Sequence, residues 1–186
     1  MTSRRHRPLT PVLGLPGLAV ISILVAASSV LLTAGQAPDA RQLGRLRQLF
    51  PTATAFSPKA GEPPHYKVYS GQGAEQRVIG YAFWTTEVVP LERGYGGPIA
   101  ILIGLESSGK LSGVIVGEHR EPYGDFSIDP PEFAAGFRGK DIRDPFKLGG
   151  DVDAVSRATI TMSAAVRAIR TATRRMAREH LPPPGK

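Results

Sequence analysis

The chain has 186 residues, 41% of them hydrophobic and 21% charged, enough apolar content for one packed domain with a short appendage. It contains no cysteine, which excludes disulfides, iron–sulfur clusters, thiolate zinc sites and C-x-x-C-H haem attachment. A net charge of +7 suits nucleic acid, anionic lipid or acidic proteins alike, and the four histidines show no i, i+4 pair of the kind a zinc enzyme uses.

Arg4, Arg5 and Arg7 precede a 23-residue, mostly apolar run over residues 12–34, and no acid occurs before Asp39. At about 1.5 Å per residue, a helix of that length crosses a ~30 Å hydrocarbon core. The basic residues ahead of it place the N-terminus in the cytoplasm and the rest of the chain outside. A cleaved signal peptide ending near Gly35-Gln36-Ala37 is the alternative. Its apolar core is usually only ~7–15 residues, so a single-pass anchor is favoured. Position beyond such an anchor argues against a nucleic-acid partner. The resulting organisation is an N-terminus and anchor over 1–37, a short helix and linker over 38–64, a folded domain over 65–180 and a disordered Pro-rich tail over 181–186.

Asp39 can cap a short helix in which Leu43, Leu46 and Phe50 share a face and which Pro51 stops. Residues 51–64 read as a loop. Strand signals follow at 66–69, 77–89, 99–105 and 111–116, and the last two flank the polar linker 106–110 as a hairpin. Asp129 and Pro130 open a short helix to Phe137. A final helix over 163–180 puts Val166, Ile169, Thr173 and Met176 on one face and most arginines off it. The fold class is α+β, an antiparallel sheet packed on helices and preceded by one transmembrane helix.

Ahead of the final helix stands Asp153-Ala154-Val155-Ser156-Arg157-Ala158-Thr159-Ile160-Thr161. By residue type alone this is an N-terminal capping segment, since Asp, Ser and Thr are good caps. Gly94-Tyr95-Gly96-Gly97-Pro98 lacks the phosphate-loop lysine and the G-x-G-x-x-G spacing, so alone it reads as a turn. His119-Arg120-Glu121-Pro122 ends the second hairpin strand. No Ser-His-Asp set, carboxylate pair or metal cluster stands out, so no catalytic residue and no metal ligand is assigned.

The order D-x-x-S-x-A-T resembles the D-x-x-S/T-G-A-T acceptor of the FMN-binding domain family. That family includes NosR/NirI-type proteins of nitrous oxide respiration and the flavin subunits of Rnf and sodium-pumping NADH:quinone reductase complexes. The resemblance runs from about residue 56 to 174 and is sharpest at 94–122 and 153–161. It implies that a flavin transferase, using FAD and a divalent metal, esterifies the hydroxyl of Thr159 to the FMN phosphate. Ser156 and Thr161 would help hold that phosphate beside Ala158, and Asp153 would serve recognition by the transferase. Arg157 replaces the family's glycine and can pair with the phosphate or stand solvated. Gly94, Gly96 and Gly97 would let backbone approach the flavin, Tyr95 would stack on its ring, and Glu121 and His119 would hydrogen-bond it. The usual Glu-Thr-Pro-Gly here reads Glu-Pro-Tyr-Gly. The cofactor carries the electron chemistry, so an electron-transfer subunit is favoured over an enzyme with its own substrate. Its partners would be membrane redox-complex subunits or an extracytoplasmic reductase; a redox-sensing or assembly module is the alternative.

Overall fold

The side chain of Asp39 accepts a hydrogen bond from the Gln42 N–H at 2.7 Å and starts helix α1, Ala40–Leu49. In the computed structural model, residues 35–182 are described; the expected anchor and the last four residues of the expected tail lie outside them. Among the described residues no helix is long and apolar enough to cross a membrane. Leu46 and Phe50 face inward from α1, as their spacing predicts; Leu49 joins them, Leu43 is only half-buried, and Pro51 follows the helix end.

Five strands form one antiparallel sheet in sequence order: β1 Ala55–Phe56, β2 Tyr66–Ser70, β3 Arg77–Trp84, β4 Ile101–Glu106 and β5 Leu111–Val116. The strand β1 falls within the segment expected to be loop. It is only two residues long and takes its order from pairing Ala55 with Tyr69 and Phe56 with Val68. The expected strand over 77–89 ends at Trp84, and helix α2, Thr85–Val88, completes it. The Thr85 hydroxyl causes the change of direction: it donates to the Ile99 carbonyl at 2.8 Å and accepts from the Ile101 N–H at 2.9 Å.

Both faces of the sheet are covered. Phe83, Ile101, Ile103 and Leu105 pack toward the C-terminal helix, while Tyr66, Val68, Ala82 and Leu102 pack toward α1. Double-sided burial explains why β4 reads as the unbroken apolar run Ile101-Leu102-Ile103-Gly104-Leu105 and not as an alternating strand. The Phe50 ring lies directly over Gly80 and Gly104, where a Cβ would come within 2.9 Å of it. Glycine at both positions lets α1 seat against the sheet.

The chain then forms α3, Gly124–Ser127, and α4, Pro131–Ala135, before the 22-residue α5, Thr159–His180. Three further expectations need correction. The α4 helix starts at Pro131 with Pro130 as its cap residue, and Asp129 makes no capping bond. The α5 helix begins four residues earlier than its apolar periodicity indicates, because Thr161 and Met162 are already buried in its first turn. Val166, Ile169, Thr173 and Met176 lie on its buried face as expected, among alanines that let the helix approach the sheet closely. Leu181, assigned from sequence to the disordered tail, donates its N–H to the Ala177 carbonyl at 2.9 Å and packs on the main core.

Candidate functional site

Helix α5 begins without a side-chain cap. Its cap residue is Ala158, which has no side-chain oxygen to offer the first-turn N–H groups, and Ala158 itself is buried. Before it, Arg157 sits at φ +70°, in the left-handed region. A Cβ is disfavoured there and glycine is not, so the backbone itself accounts for the glycine of the D-x-x-S/T-G-A-T pattern. Asp153, Ser156, Arg157 and Thr159 are all exposed on this approach to the helix.

The two motif threonines differ sharply. Thr159 is exposed, whereas Thr161 is buried and donates its hydroxyl to Glu121 Oε2 at 2.5 Å. Residues two apart on a helix lie about 200° apart around its axis, so one faces out when the other faces in.

Glu121 is the meeting point of three segments and is only 7% exposed. Besides Thr161, its carboxylate accepts from the Tyr95 N–H at 3.0 Å and the Gly96 N–H at 2.9 Å. The loop is closed by the Gly94 N–H donating to the Gly97 carbonyl at 2.8 Å, and Gly97 has φ +135°. A side chain at Gly94 would fall on the Glu121 carboxylate, and one at Gly96 on the Arg120 carbonyl. His119 braces the same turn: Nδ1 accepts from the Glu121 N–H at 3.2 Å while Nε2–H donates to Asp129 Oδ1 at 2.8 Å. The polar atoms of Glu121 and His119, expected from sequence to face a flavin ring, are thus engaged by protein donors and acceptors. They tie the turn to the glycine loop and to the first turn of α5.

Tyr95 is 72% exposed despite its anchored backbone, and Tyr123, Phe126 and Ile160 are also exposed large apolar side chains. The Tyr123 and Phe126 rings lie 5.6 Å apart. Phe126 also borders a depression of about 220 Å³ that Asp153, Val155, Phe133 and Met162 share. Sequence reasoning did not single out Tyr123 or Phe126 and read Asp129 only as a helix cap; the only local signal was the tyrosine in Glu-Pro-Tyr-Gly. A larger groove of about 940 Å³ borders Ile142, Arg143, Arg174 and Arg178. Arg174 is 15 residues along α5 from Thr159, about 22 Å at the helical rise, and no motif residue lines that groove. Of these two hollows, only the smaller one includes a residue of the motif, Asp153. Among the described residues no group of three His, Cys, Asp or Glu could hold a metal ion.

A family described as the FMN-binding domain matches residues 94–174, from the first glycine of the loop to well inside α5. The chain is 36% identical over 91 residues to the G subunit of the ion-translocating oxidoreductase complex of Pseudomonas aeruginosa, covering 44% of this chain and 42% of that protein. It therefore spans less than half the length of that relative. It is 31% identical over 142 residues to the corresponding protein of Methanosarcina acetivorans, covering 71% of this chain and 73% of the relative. Against the one from Stutzerimonas stutzeri it is 31% identical over 186 residues, with 87% and 79% covered.

Proposed function

Because the chain belongs to the FMN-binding domain family represented by the G subunits of ion-translocating oxidoreductase complexes, we propose that it is an electron-transfer subunit carrying FMN esterified to Thr159. Residues 12–34 would tether it as a single-pass protein with the domain outside the cytoplasm, beside the membrane redox subunits it serves.

One observation carries the assignment of the acceptor: of the two motif threonines, only Thr159 is exposed. The surroundings suit the group. An uncapped helix start offers free N–H groups and the positive end of the helix dipole to a phosphodiester. Arg157 and Ser156 stand exposed beside it, and Tyr95, Tyr123 and Phe126 offer aromatic faces to a planar ring. In attachment, Thr159 would supply the hydroxyl oxygen of the phosphoester and release its proton, with FAD as the donor of the flavin phosphate and AMP as the leaving group. Once bound, FMN supplies acceptance and return of one or two electrons. The glycine loop and Glu121 turn hold the walls of the site.

The test is a denaturing gel viewed under ultraviolet light after co-expression with a flavin transferase. Fluorescence should vanish in Thr159→Ala, persist in Thr161→Ala and survive in part in Thr159→Ser, which keeps the nucleophilic oxygen. A fluorescent Thr159→Ala band would remove Thr159 as the acceptor.

A further inference from the structure

We propose that the Glu121 carboxylate is a positioning residue for flavin attachment, acting through Thr161 to set the rotation of the first turn of α5 and so aim the Thr159 hydroxyl outward. This rests on the reading of Thr159 as the acceptor.

An uncapped helix start frays, because its first N–H groups have no partners and nothing fixes their orientation. In α5 no side chain caps the N-terminus, and the preceding Arg157 is held in a backbone region that does not favour it. The compensating contact is lateral. Thr161 turns inward and donates to Glu121 Oε2, which fixes the azimuth of the turn. Thr159, about 200° away around the axis, is thereby directed to solvent.

Glu121 can serve this purpose only because it is itself immobilised. Its two oxygens take the consecutive N–H groups of Tyr95 and Gly96, one each, so the carboxylate is held in two-point contact with the glycine loop. A carboxylate is the one side-chain end that accepts at both oxygens. Glutamine has the same shape but must turn an NH₂ toward either Tyr95 N–H or Gly96 N–H, setting donor against donor. The same carboxylate therefore links the loop that would face the flavin to the helix that would carry it. Misplacing a reacting atom by about 1 Å typically costs ~10²-fold in rate.

The experiment measures FMN attachment to the purified full chain with FAD, Mg²⁺ and limiting flavin transferase. Thr161→Val is isosteric and loses the hydroxyl; Glu121→Gln is isosteric and loses one acceptor. Each should lower the transferase kcat on this protein ~10–100-fold with little change in KM, since the exposed residues 153–157 remain in place. Thr161→Ser restores the hydroxyl and should restore the rate. Amide exchange at Met162, whose N–H donates to the Ala158 carbonyl at 2.9 Å and closes the first turn, should quicken in Thr161→Val and return to normal in Thr161→Ser. A purely structural role would instead lower the melting temperature and raise KM as the folded fraction falls, with kcat intact. Attachment to Thr161→Val and Glu121→Gln at the unmodified rate would overturn the proposal while leaving Thr159 as the acceptor. An unmodified protein that takes up no FMN would remove both readings together.

Discussion

Replacing Arg157 with glycine should stabilise the protein, because the position at φ +70° is the costliest non-glycine backbone of the functional loop. A left-handed conformation costs an L-residue about 1–2 kcal/mol relative to glycine. Glycine gives back about 0.5–1 kcal/mol through the greater freedom of the unfolded chain. The arginine side chain is exposed and makes no ion pair among the described residues, so the net gain is about 1 kcal/mol. For a chain of this size that raises the melting temperature by roughly 2–4 °C. Differential scanning calorimetry of the full chain measures it, with Arg157→Ala as the control that removes the charge and keeps the Cβ. The glycine variant should melt above both the unmodified protein and the alanine variant. If it melts at or below the alanine variant, backbone strain at 157 is not what the glycine of the family pattern relieves.

Asp39→Ala should lower the stability by about 0.5–2 kcal/mol in a urea titration, since it removes the cap that holds the Gln42 N–H at 2.7 Å. The His180 pKa lies below the ordinary histidine value of 6.5, first because the ring is desolvated and then because His65 faces it, with the rings 4.3 Å apart; Lys67 adds to the shift and Glu179 opposes it. The unfolded chain therefore binds a proton that the folded chain resists, so this contribution is complete above pH 6.5 and is lost as the pH falls toward the lowered value. Urea midpoints between about pH 7.5 and 5 should decline more steeply for the unmodified protein than for His180→Gln.

Local chemistry made much of the fold legible. The inward faces of α1 and α5, the Asp39 cap, the β4–β5 hairpin and the apolar run of β4 all follow from side-chain spacing and from residues that bond to their own neighbours. At residues 153–159 it is the family resemblance, and not local chemistry, that nominates Thr159 as the acceptor. Where local propensity competed with distant contacts, sequence reasoning missed. Asp129 is a good cap by type, yet its carboxylate goes to His119, ten residues back. Asp153 and Ser156 before α5 are good caps too, yet the cap residue is Ala158, because burial of Thr161 and Met162 decides where the helix starts.

By itself, the sequence determined the β4–β5 hairpin and the helix faces, since each depends on periods and pairings within a few residues. Only the tertiary structure decided what Glu121 does. Its three donors come from positions 95, 96 and 161, which lie 26, 25 and 40 residues away and meet when the sheet and α5 pack. Helix spacing already sets Thr159 and Thr161 about 200° apart, and the same packing decides that Thr161 is the buried one. The left-handed turn at Arg157 belongs with these: an arginine gives no hint of it, and the returning chain imposes it as it enters α5.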